Sequence, residues 1–172
     1  VMPSLQLEFF GDVNFYIGMG FKVVTAILLG GLIGLDRERK MKAAGIKTNI
    51  LICLGATLYV SVSILNTAVT GTADPNRIAA QVVSGIGFLG AGAIIHSRGH
   101  VIGLTTAATI WVVAAIGVAI GSGYPIVASI FTITILVVLK LLGPVFHLIE
   151  LKRAYHVEVL SNGSVKKNIR QL

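Results

Sequence analysis

Three glycines, Gly85, Gly87 and Gly90, have the G-x-G-x-x-G spacing of a dinucleotide-binding loop. Such a loop works at the end of a strand that leads into a soluble helix, with an acidic residue about 20 positions later for the ribose. Here the glycines lie inside an apolar block, and the next acidic residue after Asp74 is Glu150. The sequence therefore predicts no bound nucleotide, and the glycines need another explanation.

Metal binding is the second chemistry to consider. His96 and His100 are four apart, but Gly99 between them favours a loop, and no cysteine or acidic residue accompanies them. Magnesium prefers carboxylate oxygens together with water, and the candidate ligand is Asp74, although no metal site is assigned to it. No pairing of a nucleophile with a base and no metal-hydrolase motif is present. We expect no enzymatic activity and no cofactor.

The composition is that of a membrane protein. Of the 172 residues, 55% are apolar and 12% are charged, and the mean hydropathy is +0.88. Soluble domains carry about 25% charged residues. The net charge of +7 comes from basic residues that lie between and after the apolar blocks. That pattern indicates anchoring at a lipid bilayer rather than binding of nucleic acid.

Crossing a bilayer takes roughly 20 apolar residues in helical form, because lipid offers no partners for unpaired backbone groups. Five such blocks are present, at about Phe15 to Leu35, Thr48 to Ala68, Ile78 to Ile95, Leu104 to Ile120 and Pro125 to Leu142. Asp74 before Pro75 is expected to cap the third helix, and Gly143-Pro144 is expected to end the fifth. The predicted fold is an all-α, polytopic bundle of five transmembrane helices.

Lysine and arginine concentrate in the first loop, between residues 37 and 47, and in the tail after residue 151. Because cytoplasmic loops carry the excess of basic residues, the N-terminus is expected outside and the C-terminus in the cytoplasm. Residues 1–150 then form the transmembrane domain. Residues 151–172 are expected to begin a small cytoplasmic domain, since some 20 residues cannot bury a core of their own.

Close helix packing explains the glycines better than phosphate binding does. Helices in lipid associate through small residues that let their backbones approach. Small residues spaced four apart predict tight packing among the first, third and fourth helices, and the bulky fifth helix is expected to face lipid. The glycines expected at these contacts are Gly30, Gly34, Gly85, Gly87, Gly90, Gly92, Gly117 and Gly121. The glycines of the third helix also suggest a break in it, and Lys22 is expected to extend outward to the membrane surface.

Several segments closely resemble the MgtC/SapB family of bacterial inner-membrane proteins. They are Gly30-Gly31-Leu32-Ile33-Gly34-Leu35-Asp36-Arg37-Glu38-Arg39, Ala44 to Thr48, Asp74 to Gly92 and Gly103 to Ala108. The family pattern usually has Glu where this chain has Asp36 and Arg where it has Lys47. The polar and charged residues that match the motif are Asp36, Arg37, Glu38, Thr48, Asp74, Arg77, Gln81, Ser84, Thr105 and Thr106.

The resemblance implies a multi-pass protein of the bacterial inner membrane with a role in growth under magnesium limitation and in virulence. It also implies regulation of other membrane proteins, including ATP synthase, and a cytoplasmic C-terminal domain similar to an ACT fold. Only the first residues of that domain would be present here.

Two hypotheses follow. In the first, the protein is a non-enzymatic regulator in magnesium homeostasis that docks its small-residue helices and its Asp36 to Arg39 loop against other membrane proteins, or forms a symmetric homodimer. In the second, it transports magnesium or another ion through a site at the third helix, formed by Asp74, Gln81 and backbone carbonyls exposed by a break near Gly85 to Gly92. Asp36 and Glu38 are expected instead to join an ion-pair network that fixes the first loop.

Overall fold

A computed structural model of the chain describes residues 4–7, 11–71, 74, 76–97 and 100–150. The chain divides into two compact units, Val1–Val137 and Val138–Leu172. Of the second unit, the described part is residues 138–150, which form the end of a helix that begins in the first unit. The predicted cytoplasmic domain at residues 151–172, including its likeness to an ACT fold, lies outside the described residues.

Five helices occur where the apolar blocks predict them. They are α1 (Phe15–Arg39), α2 (Ile46–Thr70), α3 (Arg77–Gly92), α4 (Leu104–Gly121) and α5 (Pro125–Glu150). Three of them are long and apolar enough to cross a membrane, namely α1, the segment Ile46–Val69 of α2, and α4. The apolar part of α5, Pro125–Leu141, is shorter. The 16 residues of α3 extend about 24 Å at 1.5 Å per residue, less than a hydrocarbon core of about 30 Å.

Two predicted helix ends were wrong. The residue that caps α3 is Asn76 and not Asp74. The Asp74 carboxylate oxygen Oδ1 instead accepts a hydrogen bond of 2.9 Å from the backbone nitrogen of Asn76, one residue before the helix. At the other end of the chain, α5 continues through Gly143 and Pro144. Proline is tolerated in apolar helices of this kind, because the freed backbone groups find other partners.

Two short antiparallel hairpins flank the helices. Strands β1 (Ser4–Leu7) and β2 (Gly11–Asn14) pair with Leu5 opposite Val13, and β2 leads directly into α1. Strands β3 (Ile95–Ser97) and β4 (His100–Ile102) pair between α3 and α4. The block predicted as helix to Ile95 therefore ends three residues earlier, at Gly92.

Helices α1, α3 and α4 each contact α2, which lies between them. Residue pairs along the contacts show that α1 runs antiparallel to α2, whereas α2 and α4 run parallel. One buried hydrophobic cluster joins α1, α2 and α4 with Ala128 of α5, and a second joins Ile86 of α3 to α2 and α4. The outer faces are apolar, as lipid contact requires, and Phe131 and Ile133 of α5 are more than half exposed.

Candidate functional site

The α1–α2 contact depends on two glycines of α1. A Cβ atom built on Gly30 would lie 2.9 Å from the backbone oxygen of Asn49, and one on Gly34 would lie 2.6 Å from Cα of Ile46. Both distances are shorter than side-chain carbons tolerate against backbone atoms. The structure thus has α1 and α2 in backbone contact at these positions, whereas the spacing predicted packing among the first, third and fourth helices.

The α2–α4 contact combines glycines with hydroxyl groups. Cβ atoms on Gly117 and Gly121 would approach the backbone oxygens of Cys53 and Thr57 to 2.5 and 2.8 Å. Across the same contact, the Thr57 hydroxyl donates to the Gly117 carbonyl at 3.0 Å and the Ser61 hydroxyl donates to the Gly121 carbonyl at 3.3 Å. The glycines of α4 therefore admit both the backbone and the hydroxyl donors of α2.

The glycines of α3 differ from those of α1 and α4, because within this chain they make no close helix contact. Cβ atoms on Gly85, Gly87 and Gly92 would meet no atom of the chain within 4 Å, and one on Gly90 would make only an ordinary contact of 3.8 Å with Ala107. The predicted break is also absent, because α3 is a continuous helix from Arg77 to Gly92. Tight packing involves α1, α2 and α4, and three of the four motif glycines of α3 lie on its exposed surface.

Lys22 is buried in the interface of α1, α2 and α4, which contradicts the expectation that it extends outward. Its exposed fraction is 1%. The ammonium group donates to the carbonyl of Gly121 at 2.6 Å and lies 3.4 Å from the Ser61 hydroxyl oxygen. Gly121 is the last residue of α4, so the cation lies at the negative end of that helix.

The charged residues at the end of α1 have three different environments. Asp36 forms an ion pair of 3.0 Å with Lys40. The Glu38 carboxylate accepts the backbone N–H of Ile46 at 2.8 Å and so caps the first turn of α2. Arg37 is buried at 3% exposure, and its Nη2 donates to the hydroxyl oxygen of Thr106, at the start of α4, at 3.4 Å. The three side chains thus fix the first loop, but only Asp36 does so through an ion pair.

Asn49 connects the first loop to α2. Its side chain is fully buried, and its amide nitrogen donates to the carbonyls of Ala44 and Gly45 at 3.0 and 2.8 Å. Its side-chain oxygen has no hydrogen-bond partner among the described residues. These hydrogen bonds, together with the one from the Asn49 backbone N–H to the Gly45 carbonyl at 3.1 Å, hold residues 44–45 to α2.

The remaining motif residues are not buried. Asp74, Arg77, Gln81, Ser84, Thr48 and Thr105 are exposed. Asp74 and Arg77 line a cavity of about 290 Å³ that also includes Ser63 and Asn66 of α2. Gln81 lines a different cavity, of about 530 Å³, between α2 and α3. The structure therefore does not bring Asp74 and Gln81 together in one cavity, as the transporter hypothesis requires.

No group of three or more His, Cys, Asp or Glu residues that could hold a metal ion occurs within the described ranges. His96 lies on β3 and His100 on β4 of the second hairpin, so they are not one turn apart on a helix.

Similarity to known proteins agrees with the helical architecture and the motif residues. The model of the MgtC family matches residues 23–148, which include most of α1, all of α2, α3 and α4, and α5 up to residue 148. This chain belongs to the MgtC family. The resemblance noted from the sequence is thereby confirmed, and the chain is a membrane protein.

Relatives in several bacteria share much of the sequence. "Protein MgtC" of Brucella abortus is 39% identical over 155 residues, which is 86% of this chain and 64% of that protein. "Putative magnesium transporter YhiD" of Escherichia coli K12 is 41% identical over 153 residues, 83% of this chain and 69% of the relative. "Protein MgtC" of Salmonella typhimurium is 48% identical over 101 residues, 59% of this chain and 42% of the relative. The matched segment spans 64% of the length of the Brucella relatives. No solved structure matches.

The sequence contained a signal for the burial of Lys22. Five residues at spacing four, Gly18, Lys22, Ala26, Gly30 and Gly34, are all buried on one face of α1. A residue on a stripe of small residues faces a neighbouring helix, and Lys22 lies on that stripe. The sequence of α2 contains a similar signal for helix packing: Cys53, Thr57 and Ser61 are small residues at spacing four, and all three are buried.

Proposed function

We propose that this MgtC-family protein is a non-enzymatic, multi-pass protein of the bacterial inner membrane that acts in magnesium homeostasis and virulence by regulating other membrane proteins such as ATP synthase. The name of one relative links the family to magnesium: the Escherichia coli protein is named "Putative magnesium transporter YhiD". In this proposal magnesium limitation is the condition under which the protein works, and magnesium is not its cargo.

The main support for the proposal is that the buried charged side chains are positively charged. The two charged side chains buried among the described residues are Lys22 and Arg37, and both are cations. Lys22 contacts the last residue of α4 and Arg37 contacts its first turn, so the cations lie near the two ends of that helix. A divalent cation moving along the α1–α2–α4 interface would be repelled at either end. This favours a role for the outer surface of the bundle over conduction through its interior.

The surface proposed for docking is one face of α3, which we call the small-residue face. Its residues follow helical spacing, are exposed, and are Ala80, Ser84, Gly87 and Ala91. A Cβ atom on Gly87 would meet nothing of this chain within 4 Å, so a partner helix could approach the backbone there. The corresponding glycines of α1 and α4 are already occupied by α2. A homodimer through the same face is the second arrangement that this surface allows.

The test is regulation of ATP synthase in inverted inner-membrane vesicles that contain the full chain. We expect the chain to lower ATP-driven proton pumping, and Gly87→Leu to abolish both this effect and crosslinking to ATP synthase subunits. Gly20→Leu is the matched control, because Gly20 of α1 is also exposed and its Cβ would meet nothing within 4 Å. Unchanged pumping with the native chain, or equal effects of the two variants, would refute the proposal.

Ion transport is the alternative, and one observation favours it. The residues that line the cavity of about 290 Å³ include Asp74, Asn66 and Ser63, which have oxygen-bearing side chains of the kind that Mg²⁺ binds. Magnesium flux into liposomes that contain the purified chain tests it directly. Flux that Asp74→Ala abolishes, with Asp36→Ala as the control, would support transport and count against the regulatory proposal.

A further inference from the structure

The N-terminus of α4 has no side-chain cap. Its N-cap residue, Gly103, has a φ of 98° and makes no side-chain hydrogen bond, and the first turn contains no acidic residue. A Cβ atom at Gly103 would run into the backbone oxygen of Ala93, so none of the side chains that usually cap helices fits there. The backbone N–H groups of the first turn therefore form the positive end of α4 without an anionic side chain to balance it.

A buried cation faces the same turn. The Arg37 guanidinium donates a hydrogen bond of 3.4 Å to the hydroxyl oxygen of Thr106. The exposed fraction of Arg37 is 3%. Its Nε has no hydrogen-bond partner in the described part of the chain. The neighbouring carboxylate of Asp36 forms an ion pair with Lys40 and also interacts electrostatically with Arg37. The N-terminus of α4 and Arg37 thus bring two positive groups together, an arrangement that favours a bound anion.

An apolar groove begins at this point. Thr106 and Thr48 line one cavity of about 480 Å³, together with Phe88 and Gly92 of α3. The next cavity, of about 530 Å³, shares Leu51, Ile52 and Leu89 with the first, so the two form one groove along α2 and α3. From Thr48 to Tyr59 this groove follows 12 residues of α2, whose 11 steps of about 1.5 Å give about 16 Å of helix, the length of much of an acyl chain.

Two exposed glycines make the groove wide enough for a chain. Gly85 and Gly92 line the two cavities, and they are seven residues apart, so both face the same side of α3. Gly87 lines neither cavity and lies on the other side. The glycine spacing of α3 thereby serves two surfaces, the groove and the small-residue face.

We propose that this groove binds one anionic phospholipid. The phosphate group lies at the N-terminus of α4, where it receives hydrogen bonds from the first-turn N–H groups and the Thr106 hydroxyl. Arg37 lies behind Thr106 and contributes its positive charge. One acyl chain lies in the groove between α2 and α3. The proposal requires neither docking to ATP synthase nor ion transport, and it adds a lipid-binding site to the proposed regulator.

The experiment measures lipid binding by the purified full chain in detergent. Native mass spectrometry counts bound phosphatidylglycerol and phosphatidylcholine, and thermal unfolding is followed as each lipid is added. We expect one phosphatidylglycerol per chain, a rise in the midpoint of unfolding, and an affinity about tenfold or more above that for phosphatidylcholine, because only the first lipid carries a net negative charge.

Variants separate the headgroup contacts from the groove. Gly92→Leu places a side chain in the groove without a clash within the chain, so the affinity for phosphatidylglycerol should fall about tenfold or more, as expected when bound apolar groups are displaced. Gly87→Leu, on the other side of α3, should leave the affinity unchanged. Arg37→Gln and Thr106→Val should each reduce the preference for phosphatidylglycerol over phosphatidylcholine. If Arg37→Gln does not fold, Thr106→Val and Gly92→Leu decide the question.

Three results would overturn the proposal. Equal binding of the two lipids would show that no anion is recognised. A rise in the unfolding midpoint with inorganic phosphate, without retained phosphatidylglycerol, would indicate a site for free phosphate. Equal effects of Gly92→Leu and Gly87→Leu would show that the groove does not hold the acyl chain.

Discussion

Replacing Gly117 by alanine should destabilise the protein, because the added methyl group has no space. Its Cβ would lie 2.5 Å from the backbone oxygen of Cys53 and 2.7 Å from Cβ of Ala56. The first distance is 0.9 Å short of the 3.4 Å at which ordinary contact begins, and a backbone atom cannot rotate away. The helices α2 and α4 must separate, which also strains the 3.0 Å hydrogen bond from Thr57 to the Gly117 carbonyl.

The expected loss can be estimated from two contributions. Overpacking costs about 1–3 kcal/mol, and an interhelical hydrogen bond in a membrane protein is worth about 0.6 kcal/mol on average. Alanine is favoured over glycine inside a helix by about 1 kcal/mol, which offsets part of this loss. We therefore expect Gly117→Ala to lower the free energy of unfolding by about 1–3 kcal/mol. Reversible unfolding of the full chain in mixed micelles, as the fraction of denaturing detergent increases, measures this difference.

The same substitution at Gly87 is the control. A methyl group there meets nothing within 4 Å, and alanine is favoured over glycine in a helix by about 1 kcal/mol. We expect Gly87→Ala to raise the free energy of unfolding, so the two variants should change stability in opposite directions. Equal changes, or a stabilising Gly117→Ala, would refute the claim that glycine is required at the α2–α4 contact.

Three further predictions concern polar and sulfur groups. Glu38→Ala should lower the free energy of unfolding by about 1 kcal/mol by removing the cap on the Ile46 N–H, and Glu38→Gln, which keeps an oxygen acceptor, should lower it less; equal losses would exclude the cap. Lys22→Met should be tolerated in the same unfolding assay, whereas Lys22→Glu should cost about 3 kcal/mol or more, because a carboxylate would face the carbonyl of Gly121; tolerance of both would contradict the buried contact. Cys53, with an exposed fraction of 0%, should react with a maleimide far more slowly than a cysteine introduced by Met41→Cys at a site that is 93% exposed, and similar rates would show that α2 is accessible.

The sequence predicted the number of helices and most of their limits, because charges and turn residues separate the apolar blocks. It failed at Pro144, where local propensity indicates a helix end but α5 continues. It also failed at Asp74, whose side chain accepts a hydrogen bond from the backbone N–H of Asn76 and not from a residue of α3. Both errors come from applying rules for single residues where neighbouring residues decide the outcome.

The candidate site was predicted only in part. Four of the predicted glycines lie at helix contacts: Gly30, Gly34, Gly117 and Gly121. Their common partner, α2, was not predicted, because its packing face contains Thr57 and Ser61 rather than glycine. Composition cannot tell which glycines face a helix and which face lipid, since both kinds occur in equally apolar surroundings. Only the three-dimensional structure therefore shows that the glycines of α3 lie on two different surfaces.

The contacts of Lys22 also have a consequence for biosynthesis. Its two partners, Ser61 and Gly121, lie 39 and 99 residues later in the chain. At about 5–20 residues per second, the ribosome needs about 5–20 s to produce the second of them. During that time α1 has already left the ribosome, and its ammonium group must remain hydrated near the lipid headgroups or bind to the insertion machinery. We expect α1 to reach its final depth only after α4 has entered the membrane. The first helix to be synthesised is therefore among the last to reach its final position in the bilayer.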